Sequence, residues 1–444
     1  MLPPDGTHRD GSARSSDSLH GSADAAPSAT STGVAGGMAT AGTAVEAYEP
    51  GVADELDDTV QRAPSGAVLE DIESEEMLIN MGPQHPATHG VLRIVLRTDG
   101  EVVLGATPHI GYLHRCAEKI AENLPYVSFV PYTDRMDYVA AMNENWAYAH
   151  AVEKLAGIEV PRRAEVLRVL VGELQRIASH LVSFGTYGLD LGAFTPFLYA
   201  FREREFVLDL FEMLCGARLT YGYYTIGGLM YDAPDGWLDK VEEFLDYFEP
   251  KIPEYHALLS YNRIFTRRTG NVGVLKPAIA IAYGCTGPVM RGSGIPYDLR
   301  RDKPYSIYPE LEFDVIIGTG EFGALGDSWD RYMVRMREME QSVRIIRQCL
   351  KMIPDSGPGN RHRVKLPRSF KPDPGEVYVE QENPRGIVGF YIESRGDIQP
   401  YRVKARSGCF SNLSVLEVLC HGVMLADVPA IIGSIDVVMG QVDR

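Results

Sequence analysis

Hydrophobic positions in this chain change their spacing twice, and the changes mark out its organisation. From Met77 onward they first alternate, loosely over Val91–Leu96 and again over Glu101–Leu104 after an Asp99-Gly100 turn, which predicts a small β-element. Helical spacing follows. Asp137–Ala156 carries Trp146, Ala149 and Val152 on one face, Pro161 suits a first helical position, and Leu167, Leu170, Leu174, Ile177 and Leu181 form the next stripe. Pro196–Leu214 and Trp237–Phe248 continue the pattern. In Ser328–Met352 the residues Trp329, Met333, Met336, Val343, Ile346 and Leu350 run down one face. Helices of this length predict a bundle as the central mass. Beyond Pro354 the chain is punctuated by Pro and Gly. Short strands are expected at Glu376–Glu380, Ile387–Ile392 and Arg402–Arg406, then a helical stretch near Ser414–His421 and an apolar, partly extended end. The expected fold class is α+β and mainly helical, with a β-containing part over 77–133, a helical bundle over 134–353 and an extended α+β part over 354–444.

Composition changes this picture mainly at the front of the chain. Of the net charge of −17, residues 1–76 hold −12, with Tyr48 as their single aromatic. Such a segment cannot offset its ordering entropy, so 1–76 is expected to be a disordered acidic extension rich in Ala, Gly and Ser. A mitochondrial transit peptide would be Arg-rich and acid-poor, the opposite of what stands here. The acidic balance argues against nucleic acid as a partner. No stretch reaches the roughly 18 consecutive apolar residues of a membrane span. The six cysteines are scattered without a CxxC, which predicts neither a disulfide framework nor a metal or iron–sulfur site.

Several segments could carry chemistry. Gly318–Gly323 reads GxGxxG between the strand-like Phe313–Ile317 and a long helix, the local context of a dinucleotide fingerprint. No acidic residue follows at the tip of a second strand, so nucleotide binding there is not expected. Gly82–Gly90 joins the first two strands and holds His85 and His89, but Pro83, Pro86 and Gly90 forbid a helical metal site. It is either a rigid turn with capping histidines or a proton donor on a stiff loop. Tyr132–Tyr138 opens the first bundle helix, where Asp134 is expected to cap and Tyr138 to pack. Gly185–Gly192 is expected to break two helices with Asp190 between apolar neighbours, and Phe201–Glu205 to form a salt-bridged helical turn.

Together these strings resemble a known family. Gly82–Gly90 (GPQHPATHG), Pro108–His114 (PHIGYLH), Arg135–Tyr138 (RMDY), Glu173–Leu181 (ELQRIASHL), Phe201–Glu205 (FRERE), Gly375–Val379 (GEVYV) and Met439–Arg444 (MGQVDR) are similar to the D-subunit family of the proton-pumping NADH:quinone oxidoreductase, respiratory complex I. The resemblance covers essentially all of 77–444. That family is in turn similar to the large subunit of nickel–iron hydrogenases, which implies a bundle with flanking α+β parts. In the hydrogenases the last two metal-binding cysteines stand in a DPCxxC. Here Asp436–Gln441 puts Val438 and Gln441 at those positions, so no bound metal is expected.

The resemblance implies that His89 and Tyr138 face the headgroup cavity of ubiquinone or menaquinone, and that Asp190 pairs with His89. Arg135 would face a [4Fe–4S] cluster held by the neighbouring B subunit, with the C subunit and the membrane-embedded H subunit as further partners. NAD would bind elsewhere in the complex, and this chain would sit peripherally on the cytoplasmic side of a bacterial cell membrane. One position departs from the pattern: Thr220 stands where many members have histidine, so no titration near the cluster is expected from this position. A related complex fed by a deazaflavin or ferredoxin, and a non-catalytic scaffold of the same fold, are the alternatives.

Overall fold

The computed structural model describes residues 76–354 and 361–444. The expectation of a disordered extension over 1–76 therefore lies, save for Glu76, outside the described residues, as do residues 355–360. About half of the described chain is helical, accompanied by three small antiparallel sheets, so the α+β, mainly helical class holds.

The first sheet is β1 (Met77–Met81), β2 (Arg93–Asp99) and β3 (Val102–His109), in that order. In β2 the buried Ile94, Leu96 and Thr98 alternate with positions that face outward, as one covered face requires. Two residues, Gly100 and Glu101, make the turn to β3, with Gly100 at a φ of 56°. A two-stranded ribbon, β4 (Tyr224–Thr225) and β5 (Gly228–Leu229), lies mid-chain. The third sheet is β6 (Gly375–Asn383), β7 (Gly386–Ser394) and β8 (Arg402–Arg406), in that order.

Numbering only the helices used below, α1 is Tyr126–Thr133, α2 Ala141–Ala156, α3 Arg162–Asp190, α4 Thr195–Cys215, α5 Trp237–Phe248, α6 Ser328–Met352, α7 Val428–Ile435 and α8 Met439–Asp443. Helix α3 is the axis, packed against α4, α6 and α7, while α2 lies on β6 and β7. The expected stripe Leu167, Leu170, Leu174, Ile177 and Leu181 is fully buried, but so are Arg168, Glu173, Arg176 and His180 on the other faces. These polar groups survive burial because each is paired. Glu173 holds Arg176 at 3.1 Å and Arg300 at 3.2 Å, and accepts from Tyr308 and Ser342. His180 meets Glu338 of α6 at 2.9 Å, and Glu338 in turn holds Arg291 at 2.7 Å. Arg291 continues to Glu382 of β6 at 2.8 Å, so one buried ionic chain ties α3 and α6 to the third sheet.

Three local expectations are corrected. The Gly185–Gly192 stretch separates two helices only at its end, at Leu191 and Gly192 (φ 86°); α3 runs on through Gly185 and Gly188 to Asp190, and these glycines let α4 approach closely (a Cβ on Gly185 would lie 3.1 Å from the Phe197 backbone). The end of the chain is helical in α7 and α8 rather than extended, since a wholly buried apolar run fits either state. Asp134 does not cap a following helix: it ends α1 and accepts from the Gly222 amide at 2.9 Å. Asp137 closes the turn ahead of α2, accepting from the Val139 and Ala140 amides, and the helix itself starts after Ala140 without a side-chain cap.

Phe313–Ile317 is not a strand, and the glycines after it serve packing. The Asp330 carboxylate of α6 accepts from the amides of Thr319, Gly320 and Gly326, the arrangement that would otherwise greet a phosphate. A Cβ on Gly318 would lie 2.0 Å from the Gly292 carbonyl oxygen. These amides are committed to the protein's own carboxylate.

Candidate functional site

The Gly82–Gly90 loop is built by short-range bonds. His85 Nδ1 accepts from the Ala87 amide at 3.2 Å, and buried Thr88 donates to the carbonyls of Pro83 and His85. Pro86–Thr88 form one 3₁₀ turn, and His89 closes it in the left-handed region at φ 49°. That conformation is uncommon for a residue other than glycine and is held here by the turn on one side and β2 on the other. The turn packs on α7.

His89 thereby faces a buried ionic cluster. Arg385 stands at the tip of the β6–β7 hairpin, yet is buried, because Asn412 pins the tip through the Arg385 carbonyl at 3.0 Å and the Thr286 backbone on either side. Its guanidinium reaches Asp137 at 3.2 Å, Ser179 of α3 at 2.9 Å and Asp436 at 3.4 Å. Arg335 of α6 approaches Asp436 at 3.7 Å and donates to the Ser434 and Ile435 carbonyls at the end of α7. Burial pushes the His89 imidazole below its ordinary range; Asp436 and the Val437 carbonyl oppose that, while Arg385 and Arg335 add to it.

Tyr138, next in sequence to Asp137, is half-buried and packs against the apolar cluster to which Val437, Val438 and Val442 belong. Burial, then the Asp137 charge, raise its phenol above the ordinary value, against Arg385 and Arg115. The Arg385 charge thus acts on both His89 and Tyr138. Behind them Glu144 of α2 is fully buried and pushed up to about 8, first by burial and then by Asp137. Gln441 and Asn383 donate to it. Gln441 also accepts from the Cys409 amide at 3.2 Å, so this position is occupied by an amide network. No group of three or more His, Cys, Asp or Glu able to hold a metal occurs among the described residues.

Asp190 ends α3 against α7, where Gly433 leaves the room: a Cβ there would lie 3.1 Å from Asp190 Oδ2. Burial alone pushes its carboxyl up to about 7, with no cation and no donor to oppose it. The structure therefore brings both His89 and Asp190 onto α7 but joins them by no hydrogen bond. Arg135 is exposed, donates to the Pro131 carbonyl and lies 3.9 Å from Asp134. Thr220 sits in the loop that Asp134 anchors, at φ 42°.

Asp137, Asp436, Arg385, Arg335 and Glu144 were not singled out from the sequence. Asp137 and Asp436 lie inside strings that were. For Arg385 the hairpin Asn383–Gly386 gave only a turn signal, and charged turn residues ordinarily face water.

Comparison with known proteins identifies the family. The family model for the respiratory-chain NADH dehydrogenase 49 kDa subunit matches residues 190–369 and 360–444. The D subunit of the NADH-quinone oxidoreductase of Chlorobium luteolum is 55% identical over 378 residues, covering 85% of this chain and 95% of that protein. Its counterpart in Chlorobaculum tepidum is 53% identical over 85% of this chain and 94% of its own length. That of Prosthecochloris aestuarii is 51% identical over 88% of this chain and all of its own length. The chain belongs to this family of oxidoreductase subunits, the 49 kDa or D subunits of respiratory NADH dehydrogenases.

Proposed function

We propose that this chain forms the quinone headgroup site of a membrane-bound NADH:quinone oxidoreductase, where His89 and Tyr138 bind and protonate the quinone. The observation that carries the reading is the convergence of His89 and Tyr138 on one buried ionic cluster centred on Arg385. Quinone reduction consumes two electrons and two protons. The electrons come from a [4Fe–4S] cluster of the neighbouring B subunit. His89 donates one proton to one carbonyl oxygen and Tyr138 donates the other to the second; each is then reprotonated from solvent. Burial acts on the two donors in opposite senses. It lowers the affinity of the imidazole for its proton, and it keeps the phenol protonated until charge builds on the quinone. Asp190, titrating near neutrality, is a further proton-holding group at the same helix.

The chain acts as one component of a hetero-oligomer coupled to proton translocation, with the B, C and H subunits as neighbours. Among the described residues no helix is long and apolar enough to cross a membrane, which fits peripheral attachment on the cytoplasmic side. Beside Asp190, exposed Phe194 and Ile264 line a groove with Leu191 and Pro196, an apolar surface suited to the membrane-embedded neighbour.

The test is quinone reduction by assembled complexes carrying Tyr138→Phe or His89→Ala. Loss of one hydrogen bond to a developing charge is worth about 1.5–3 kcal/mol, so each rate should drop by roughly tenfold or more. Reduction of the iron–sulfur chain by NADH should stay normal. Parent rates in both variants would refute the assignment.

A further inference from the structure

Helices α4 and α5 pack together and keep apolar surface that the core leaves uncovered. On α4, Phe206, Leu210 and Met213 follow one another at helical spacing; Leu210 is buried, while Phe206 and Met213 are exposed. On α5, Phe244 is buried and Tyr247 is exposed, its ring 5.1 Å from that of Phe206. These five side chains line a groove of about 310 Å³ between the two helices. Its borders are acidic. Glu205, Asp209 and Glu212 follow the apolar row along α4, and one cation, Arg218, serves all three. On α5 the exposed Asp239, Glu242 and Glu243 have no ion pair among the described residues, and Asp246 is held by Arg347 of α6. Lys240 is the one cation in the lining. Acids thus outnumber cations on both sides of an apolar floor.

We propose that this groove docks a basic amphipathic helix of another polypeptide. Apolar side chains one turn apart on that helix enter the space between α4 and α5, and the lysines or arginines flanking them meet the acidic borders. The charge pattern selects this occupant. A bilayer surface with anionic headgroups is repelled by the same carboxylates. A second copy of this chain, docking by the same face, would set one acidic border against another. An uncharged apolar partner would leave Glu242 and Glu243 beside the contact without cations, whereas a basic one supplies them. The groove at Phe194 and Ile264 differs in kind, because no carboxylate lines it. The inference does not depend on the quinone-site reading, since α4 and α5 contribute none of the residues of that site.

The experiment is photo-crosslinking in the assembled membrane complex, with p-benzoylphenylalanine in place of Phe206 or, separately, of Tyr247. Irradiation should join either position to another polypeptide. Mass spectrometry of the attached peptide should find lysine or arginine beside apolar residues spaced three or four apart. Glu242→Lys together with Glu243→Lys reverses two exposed charges. It should cut the crosslinking yield roughly tenfold, the effect of two surface pairs turned from attraction to repulsion. Reversing the captured helix's own cations to glutamate should recover most of that loss. NADH reduction of the iron–sulfur chain certifies assembly in each case. If the Phe206 replacement does not assemble, the Tyr247 one decides. If the lysine pair does not assemble, Glu242→Gln with Glu243→Gln takes its place and should lower the yield by less. No adduct at either position overturns the proposal, as do adducts only to lipid, to a second copy of this chain or to a segment without cations. A yield that the charge substitutions leave unchanged overturns it equally.

Discussion

The Arg385 guanidinium stands 3.2 Å from the Asp137 carboxylate, and both side chains are buried. This contact fixes the hairpin tip to the residue before Tyr138, so it couples the third sheet to the candidate site. Burial raises the Asp137 carboxyl even against Arg385, a sign that desolvation exceeds the gain from pairing. Removing one partner strands the other.

Arg385→Gln should therefore cost about 3–5 kcal/mol, the usual penalty for leaving one buried charge unpaired. Adding Asp137→Asn should restore part of that loss, although Asp436 would still lack its clamp. Thermal denaturation of the assembled complexes, arranged as a double-mutant cycle, measures the coupling. Strict additivity would show that the two groups do not depend on each other.

Gly433 lets α7 lie against the end of α3, since a Cβ there would stand 2.5 Å from Tyr187 Cδ2 and 3.1 Å from Asp190 Oδ2. Tyr187 is buried and cannot swing away. Gly433→Ala should destabilise the protein by about 1–3 kcal/mol through overpacking. It should also disturb the seat of the His89 turn. Hydrogen exchange of α7 in the intact complex should speed up, and quinone reduction should fall with it; unchanged exchange would mean the helices separate without cost.

The GxGxxG string offers a test of packing against nucleotide binding. Gly318→Ala would place a methyl group 2.0 Å from the Gly292 carbonyl oxygen by ideal geometry, so local backbone must shift. The expected outcome is a lower yield of assembled complex, with the KM for NADH in the surviving complex unchanged. A raised KM for NADH alongside normal assembly would assign the loop to the cofactor after all.

The periodic helices were legible from sequence because their apolar stripes are long. Trp237–Phe248 and Ser328–Met352 agree with the structure at both ends. The errors fall where periodicity carries no information. The apolar run Val428–Ile435 is buried on nearly all sides, and α3 continues through Gly185 and Gly188 because tertiary packing outweighs the low helix propensity of glycine. The ionic cluster was illegible for a different reason. Asp137, Arg385 and Asp436 are separated by long stretches of chain, and only the fold brings them together. His89 and Tyr138 were reached through the strings that contain them; what surrounds each had to come from the structure.

Asp190 yields a prediction with a definite sign. Its carboxyl is pushed up to about 7 by burial alone, whereas an unfolded aspartate titrates near 3.9. Below about pH 4 both states hold the proton and the group is neutral in its effect. Between about 4 and 7 the folded form retains a proton that the unfolded form has released, so stability falls as pH rises. Above about 7 the full penalty of a buried carboxylate is present. Asp190→Asn removes the titration and should leave a protein equal to the parent near pH 4 and more stable than it at pH 8. Hydrogen exchange at the C-terminal turns of α3, compared between variant and parent complexes at matched pH, reads the difference directly. A variant advantage that is the same at both pH values would mean that Asp190 is ionised throughout, and its place among the proton-holding groups would be lost.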